Sequence, residues 1–538
     1  MDVGPAFTPL TPLSFLERSA AVFPGKDAIV YGDRRITYAE FAAQVTRLAH
    51  ALRSLGVGRG DRVAYLVPNV PEMLMAHFAV PLAGAVLVAI NTRLAPAEIR
   101  YICDHSGARV LVVDAGLHPA VAPVAADLAT VRHIVTVTDP ASGDAPDPRV
   151  GGISYEELLG RGTGGPLPWE VPDENAAISI NYTSGTTGRP KGVIYTHRGA
   201  YLNALGEIVH SRHDPGSVYL WTLPMFHCNG WCTGWALAAI GGTQVCLRSV
   251  EAGRIWELID GEGVTHLNGA PTVLRTIADA PQAHPLPRPL VVTTAAAPPS
   301  PAIIGRMEEL GAVLVHVYGL TETYGPYSVC EPQPGWPALE AGARARLLAR
   351  QGVGMLQTDG LRVVDEAMRD VPADGETLGE IVMRGNNVMA GYHEDSEATA
   401  HAFRGGWFHS GDLGVRHPDG YVELRDRAKD IIVSGGENIS TVEVERALDS
   451  HPAVREVAVV AVPDARWGER PKAFVVVREG RAVEAEELAG HVRSRLARFK
   501  VPDEIEFVAE LPKTSTGKIQ KFQLRQREWA GWERRIQG

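Results

Sequence analysis

The sequence predicts a layered α/β fold with largely parallel strands, followed by a smaller α+β unit at the C-terminal end. Two observations carry that expectation. Up to about residue 330, helical periodicity alternates with short apolar runs, as in Tyr38 to Leu55, the turn GVGRGD and the strand Val63 to Val67; strands that alternate with helices build parallel sheets. From about residue 376 the texture changes to GETLGEIVMRG and GYVELRDRAKDIIVSGG, strands punctuated by glycine turns, which read as antiparallel.

In chain order, the run Phe78 to Ile90 is interrupted by Pro81 and Gly84 and is shorter than the ~20 residues of a membrane span. It reads as a buried helix running into a strand. ARVLVVD (108–114), HIVTVT (133–138) and AISINYTSG (177–185) read as further buried strands, and Pro- and Gly-rich loops lie at 139–152 and 161–173. After Lys429 comes a compact unit: a helix Thr441 to Leu448, strands VREVAVVAVP and KAFVVVRE, and a helix Ala485 to Ala497. The expected division is therefore residues 1–428 and 429–538, with a hinge near Lys429. No repeat or low-complexity tract interrupts this order.

With 538 residues, 45% of them hydrophobic and 21% charged, the composition is that of an ordinary globular protein with room for several cores. A formal charge of −11 gives no electrostatic footprint for nucleic acid or an anionic membrane surface, both of which favour basic patches. Any phosphate must be captured locally. Five cysteines (Cys103, Cys228, Cys232, Cys246, Cys330) suit a reducing compartment without a disulfide framework. Cys228 and Cys232 could share a helical face, but two thiols without further clustered ligands do not make a zinc site. The N-terminal residues lack the pattern of a signal peptide and WERRIQG carries no lipidation or peroxisomal tag, so a cytoplasmic location is expected.

One stretch, YTSGTTGRPKG (182–192), can make neither a good helix nor a good strand. Gly185 and Gly188 allow backbone angles that turn successive N–H groups inward as an anion nest. Thr183, Ser184, Thr186 and Thr187 add hydroxyl donors, and Lys191 adds a mobile cation. The loop leaves the end of a buried strand, where α/β sheets bind ligands, and is suited to wrapping a polyphosphate. A Walker A loop would need G-x-x-x-x-G-K-[ST]; five residues after Gly185 stands Pro190, which disfavours a P-loop kinase or GTPase.

The stretch resembles the phosphate loop of the adenylate-forming superfamily: acyl- and aryl-CoA ligases, peptide-synthetase adenylation domains and firefly-type luciferases. Further segments resemble that family's motifs in the same order. YGLTE (318–322) resembles the motif in which Thr321 would contact the α-phosphate and Glu322 hold Mg²⁺, a role suited to a hard oxygen donor, with Tyr318 and Gly319 beside the nucleotide. GWFHSGD (406–412) would supply Asp412 for the ribose hydroxyls. RDRAKDIIVSGGENIS (425–440) resembles the hinge motif, with Arg427 near ribose and phosphate and Lys429 as pivot. PKTSTGKIQK (512–521) resembles the C-terminal loop whose lysine, Lys518, bridges the substrate carboxylate and the α-phosphate. A cation is needed there because two anions must meet. The resemblance spans DAIVYGDRRITYAEF (27–41) to Lys521 and implies a large, multi-subdomain N-terminal domain with a small mobile C-terminal one.

The resemblance implies two-step chemistry. A carboxylic acid attacks the α-phosphate of Mg·ATP to give an acyl-adenylate and pyrophosphate; a thiol, usually that of coenzyme A, then displaces AMP. The small domain would rotate between steps, presenting first Lys518 and then the Gly435–Gly436 side. WTLPMFHCNGW (221–231) resembles the acyl-pocket segment, with His227 at the gating position; the aspartate that peptide-synthetase domains use for an amino group is absent. Trp231, Trp235 and Tyr324 read either as walls of an apolar pocket or as ordinary core. TTAAAPPS (293–300), which would place Ala296, Ala297 and Pro298 at the nucleotide, has Ala296 where the family usually has glycine. The form PMFHCNGW resembles short- to medium-chain or aromatic acyl-CoA ligases. The alternatives are an adenylating enzyme that hands its acyl group to an amine or carrier protein, and a silent nucleotide-binding scaffold. Expected partners are a small carboxylic acid and, by the resemblance, at most a second copy of the chain in a homodimer, with no nucleic acid and no membrane span.

Overall fold

The computed structural model describes residues 7–183, 190–295, 299, 301–427, 430–434, 437–464, 466–513 and 519–530. Two large sheets dominate. In the first the strand order is Gly391–Tyr392, Gly192–Thr196, Ala177–Tyr182, Val86–Ala89, Arg62–Leu66, Ala108–Asp114, His133–Val137 and Ile153–Ser154. From Ala177–Tyr182 onward the pairing is parallel, while Gly192–Thr196 returns antiparallel beside its predecessor. The second sheet runs Val353–Gly354, Gly325–Val329, Ala312–Leu320, Leu290–Thr294, His266–Gly269, Val218–Leu220, Thr243–Val245, Asp27–Tyr31 and Arg34–Thr37. Its middle is parallel and both edges are antiparallel.

The expected elements form with small shifts: helix Tyr38–Ser54, strand Arg62–Leu66 and helix Thr441–Asp449. Helix Tyr38–Ser54 starts where the sequence says it should, because Thr37 and Glu40 form a reciprocal capping box. The apolar run near residue 80 is helix Pro71–Leu82 followed by strand Val86–Ala89. Pro81 lies in the last turn of that helix and removes the N–H that would bond the His77 carbonyl; that carbonyl accepts from the Trp235 indole N–H instead. The helix expected over 485–497 stops at Arg493. Helices Leu13–Val22, Tyr38–Ser54, Pro71–Leu82 and Thr233–Ile240 fill the space between the two large sheets, and their apolar residues share one core with both.

Two smaller sheets follow. Thr358–Val364, Gly379–Gly385, Phe408–Arg416 and Val422–Arg427 are antiparallel throughout. The last sheet pairs the long strands Val454–Asp464 and Gly468–Val477, with Ile432–Ser434, Glu437–Ile439 and Glu504–Phe507 around them. Both its faces are covered. Val457, Val459, Ala473 and Val475 pack with helices Thr441–Asp449 and Ala485–Arg493, while Ala458, Val460, Phe474 and Val476 meet Leu511 and Leu524. The alternation of the two sets is the period-two signature of a strand buried on both sides. All five cysteines are buried and form no disulfide with one another. Among the described residues no helix is long and apolar enough to cross a membrane.

Candidate active site

The strands on either side of the hydroxyl-rich stretch pair antiparallel. Strand Ala177–Tyr182 runs into Thr183, whose N–H donates to the carbonyl of Lys191 at 3.0 Å, and the chain returns through strand Gly192–Thr196. Thr183 and Lys191 are thus held together at the base. Ser184, Gly185, Thr186, Thr187 and Gly188 lie outside the described residues. The Lys191 ammonium stands 4.8 Å from the centre of the Tyr392 ring. Tyr392 belongs to the two-residue strand that pairs with Val193, and its hydroxyl donates to Glu322 Oε1 at 2.9 Å. Burial and the Glu322 charge push the Tyr392 phenol well above its ordinary range, so it stays a donor. One aromatic side chain therefore joins the base of the phosphate loop to the acidic residue of YGLTE.

That motif sits at a strand end. Ala312–Leu320 carries Tyr318 and Gly319, and a single turn, Thr321–Thr323, carries Thr321 and Glu322. Gly319 is required by close approach: a Cβ there would lie 1.9 Å from the carbonyl oxygen of Gly325. The Tyr318 hydroxyl donates to Asp412 Oδ2 at 2.7 Å. Asp412 is in turn the register partner of Arg427 across the neighbouring strand. Three motifs that lie far apart in the sequence thus occupy one ridge: Tyr318 to Glu322, Asp412 and the backbone of Arg427.

On the other side of this ridge lies the segment after Phe226. Cys228 Sγ is 3.6 Å from Thr321 Oγ1 and 3.8 Å from His227 Nε2, so His227 and Thr321 both touch the one sulfur. The backbone here is unusual. Cys228, Asn229, Gly230, Trp231 and Cys232 all have positive φ, between 44° and 63°. Four of the five are not glycine, and left-handed residues cost about 1–2 kcal/mol each in L-chains. The segment holds because all five residues are buried, and such strain gathers at functional sites.

The three candidate pocket aromatics divide. Trp231 packs with Cys228, Val315 and Val317 and touches Gly325 so closely that a Cβ at 325 would lie 2.5 Å from its ring. Trp235 is fully buried in the main core, with its indole N–H donating to the carbonyl of His77 at 3.2 Å. Tyr324 stacks on Tyr195 at 3.9 Å, and its hydroxyl accepts from the N–H of Thr196 at 2.7 Å. Of the two readings the sequence left open, Trp235 and Tyr324 take the core one in this structure, fully buried, while Trp231 packs on Cys228, whose sulfur touches His227 and Thr321. Ala296, Ala297, Pro298, Lys429, Gly435, Gly436, Lys518 and the Arg427 side chain lie outside the described positions. Tyr392 and Tyr195, whose hydroxyl donates to the Thr321 carbonyl at 2.6 Å, escaped the sequence reading. A single tyrosine in a strand has no signature of its own.

The paired strand ends at Thr183 and Lys191, joined through Tyr392 to the acidic turn of Glu322 and through Tyr318 to the buried Asp412, fit the nucleotide-binding, adenylate-forming class of enzyme. The chain belongs to the AMP-binding enzyme family: residues 16–393 match that family and residues 443–518 match the AMP-binding enzyme C-terminal domain. An acetate–CoA ligase of Humulus lupulus is 46% identical, covering 96% of this chain and 94% of its own. A 4-hydroxybutyrate–CoA ligase of Metallosphaera sedula is 43% identical, covering 97% and 95%. The crystal structure of an anthranilate CoA ligase with anthranoyl-AMP superposes with a TM-score of 0.86 at 28% identity, covering 98% of this chain and 99% of that one.

Proposed function

We propose that the chain is an AMP-forming acyl-CoA ligase that activates a small monocarboxylic acid with ATP and passes the acyl group to the thiol of CoA. The observation that carries this reading is the ridge on which Thr321, Glu322, Tyr318 and Asp412 stand beside the base of the phosphate loop. The names of the relatives support CoA as the acceptor, which favours this reading over transfer to an amine or carrier protein. They also favour short-chain or aryl acids.

The hairpin from Thr183 to Lys191 binds the phosphates. Asp412, oriented by the Tyr318 hydroxyl, accepts hydrogen bonds from the ribose. Thr321 donates to the α-phosphate while the acid enters between His227 and Trp231. Glu322 fits a Mg²⁺ ion: it is a half-buried carboxylate with one oxygen fixed by Tyr392, and such ions take one or two carboxylates plus substrate phosphates. Among the described residues no group of three His, Cys, Asp or Glu side chains gathers, in keeping with a metal shared between Glu322 and nucleotide. When bound, it neutralises phosphate charge. Lys518 bridges carboxylate and phosphate, and Lys429 is the pivot about which the C-terminal unit turns. No protein nucleophile is required; positioning and charge stabilisation suffice. A cytoplasmic location is supported by five cysteines that form no disulfide with one another.

The test is a pyrophosphate-release screen over linear, branched, aryl and steroid-type acids, with and without CoA. CoA-dependent AMP release is expected with at least one acid class. Pyrophosphate release with AMP retained at all CoA concentrations would overturn the choice of acceptor. Lys518→Ala is expected to bind ATP and lose most adenylation, and unchanged turnover would remove Lys518 from the mechanism.

A further inference from the structure

Thr321 and Glu322 sit in a single turn, Thr321–Thr323. One turn fixes several dihedrals for very few bonds of its own, so bonds from outside decide where its side chains stand. The Thr321 carbonyl accepts two of them, from the Tyr324 N–H at 3.2 Å and from the Tyr195 hydroxyl at 2.6 Å. The rings of those two tyrosines stack, with centres 3.9 Å apart and planes 16° apart. Tyr324 is in turn held by the residue after Tyr195, since its hydroxyl accepts from the Thr196 N–H at 2.7 Å.

This ring of bonds joins the turn to strand Gly192–Thr196, the strand that begins directly after Lys191. Tyr195 and Tyr324 are fully buried. Burial, with the charges of nearby thiols and of Glu322 adding to it, raises the Tyr195 phenol well above its ordinary range, so it stays a donor. The Thr321 hydroxyl meets a softer partner, Cys228 Sγ at 3.6 Å, and a sulfur is a weak acceptor that a phosphate oxygen displaces. Backbone and side chain of Thr321 are thus engaged differently: the carbonyl is pinned and the hydroxyl can turn to a ligand.

We propose that Tyr195 is a positioning residue for adenylation: by holding the Thr321 carbonyl it fixes the rotation of the Thr321–Glu322 peptide and keeps Thr321 where its hydroxyl meets the α-phosphate. This rests on the acyl-CoA ligase reading above and adds to it a residue that acts through Thr321 from within the core. A donor aimed in advance at developing charge stabilises a transition state far more than one that must reorganise, and a small misplacement of such a group is expensive. Glu322 is held separately, its carbonyl by the Met389 N–H at 2.8 Å and its carboxylate by Tyr392. Loss of the Tyr195 bond therefore bears on Thr321 first.

The test is a double-mutant cycle on the single-turnover rate of pyrophosphate release without CoA, using the acid most active in the screen, for wild type, Tyr195→Phe, Thr321→Val and the double variant. Phenylalanine keeps the ring on Tyr324 and removes the donor; valine keeps the branched shape of threonine and removes the hydroxyl, with Thr321→Ala as a second background. A single-turnover rate constant does not depend on the fraction of folded enzyme. Tyr195→Phe is expected to slow the wild-type chain about three- to tenfold, the size of one hydrogen bond. In the Thr321→Val and Thr321→Ala backgrounds it is expected to slow the reaction less than about twofold, because the group it positions is gone. Equal slowing in all backgrounds overturns the inference, since a residue that only supports the fold acts alike in each; an unchanged rate in Tyr195→Phe overturns it too. Thr321→Val and Thr321→Ala variants as fast as wild type remove Thr321 from the mechanism and the role of Tyr195 with it, while the ligase reading stands. Wild-type enzyme that releases pyrophosphate with no acid of any class removes the ligase reading itself, and this inference with it.

Discussion

Tyr392 has no place in any recognisable motif, yet it touches both Lys191 and Glu322. Tyr392→Phe keeps the ring under the lysine and removes the donor to the carboxylate. A hydrogen bond to a charged group contributes about 1.5–3 kcal/mol, so adenylate formation should slow by about tenfold or more while the thermal midpoint moves little. Equal pyrophosphate-release rates in variant and wild type would make Tyr392 a spectator. Glu207 gives a stability prediction of definite sign. Its carboxyl is raised from the ordinary 4.5 to about 8 by burial, so between those values the folded chain holds a proton that the unfolded chain has released. Stability then falls as pH rises, by about 1.4 kcal/mol per unit from this group, and levels off above pH 8. Glutamine carries no such penalty. The thermal midpoint of Glu207→Gln relative to wild type should therefore climb between pH 5 and pH 8.5; an equal offset at both would refute the assignment.

At the scale of elements, the strand that ends at Arg427 is tied across residue 429 to the helix that begins at Thr441. Asp426 Oδ2 accepts from the Thr441 hydroxyl at 2.8 Å, and the Ser440 hydroxyl, which caps that helix by accepting from the Glu443 N–H, donates to the Arg425 carbonyl at 2.6 Å. The rotation proposed above about residue 429 would have to release these bonds. Proline fixes φ near −65° and removes a donor, so Lys429→Pro is expected to spare adenylate formation and impair thioester formation, measured as separate half-reactions. Equal loss of both would contradict the pivot. Element identity was largely legible in the sequence because period and turn chemistry are local: ARVLVVD, for instance, is the strand Ala108–Asp114 residue for residue. The antiparallel return of Gly192–Thr196 was not, since an apolar run carries no mark of the direction of its neighbour.

Among the described residues, the imidazoles pushed furthest down by burial are His77, His197 and His316, to about 4, and His213, to about 3. Below the ordinary value of 6.5 the unfolded chain takes up protons that the folded chain refuses. Their contribution is therefore complete above about pH 6.5 and is lost as pH falls toward 4, at about 1.4 kcal/mol per unit for each. The thermal midpoint should drop steeply from pH 6.5 to pH 5; a flat profile there would contradict the burial of these rings.

By itself the sequence determined the chemistry-bearing pieces and their order, because hydroxyls, glycines, a carboxylate and a lysine at fixed spacing describe a phosphate site wherever they fold. It could not decide between pocket and core for Trp231, Trp235 and Tyr324, whose side chains are equally apolar. Nor could it place strand Asp27–Tyr31 beside Thr243–Val245, a pairing more than two hundred residues apart. Only the tertiary structure decided those matters. Burial, strand register and the partner of a given side chain arise from contacts between distant elements, and no local pattern encodes them.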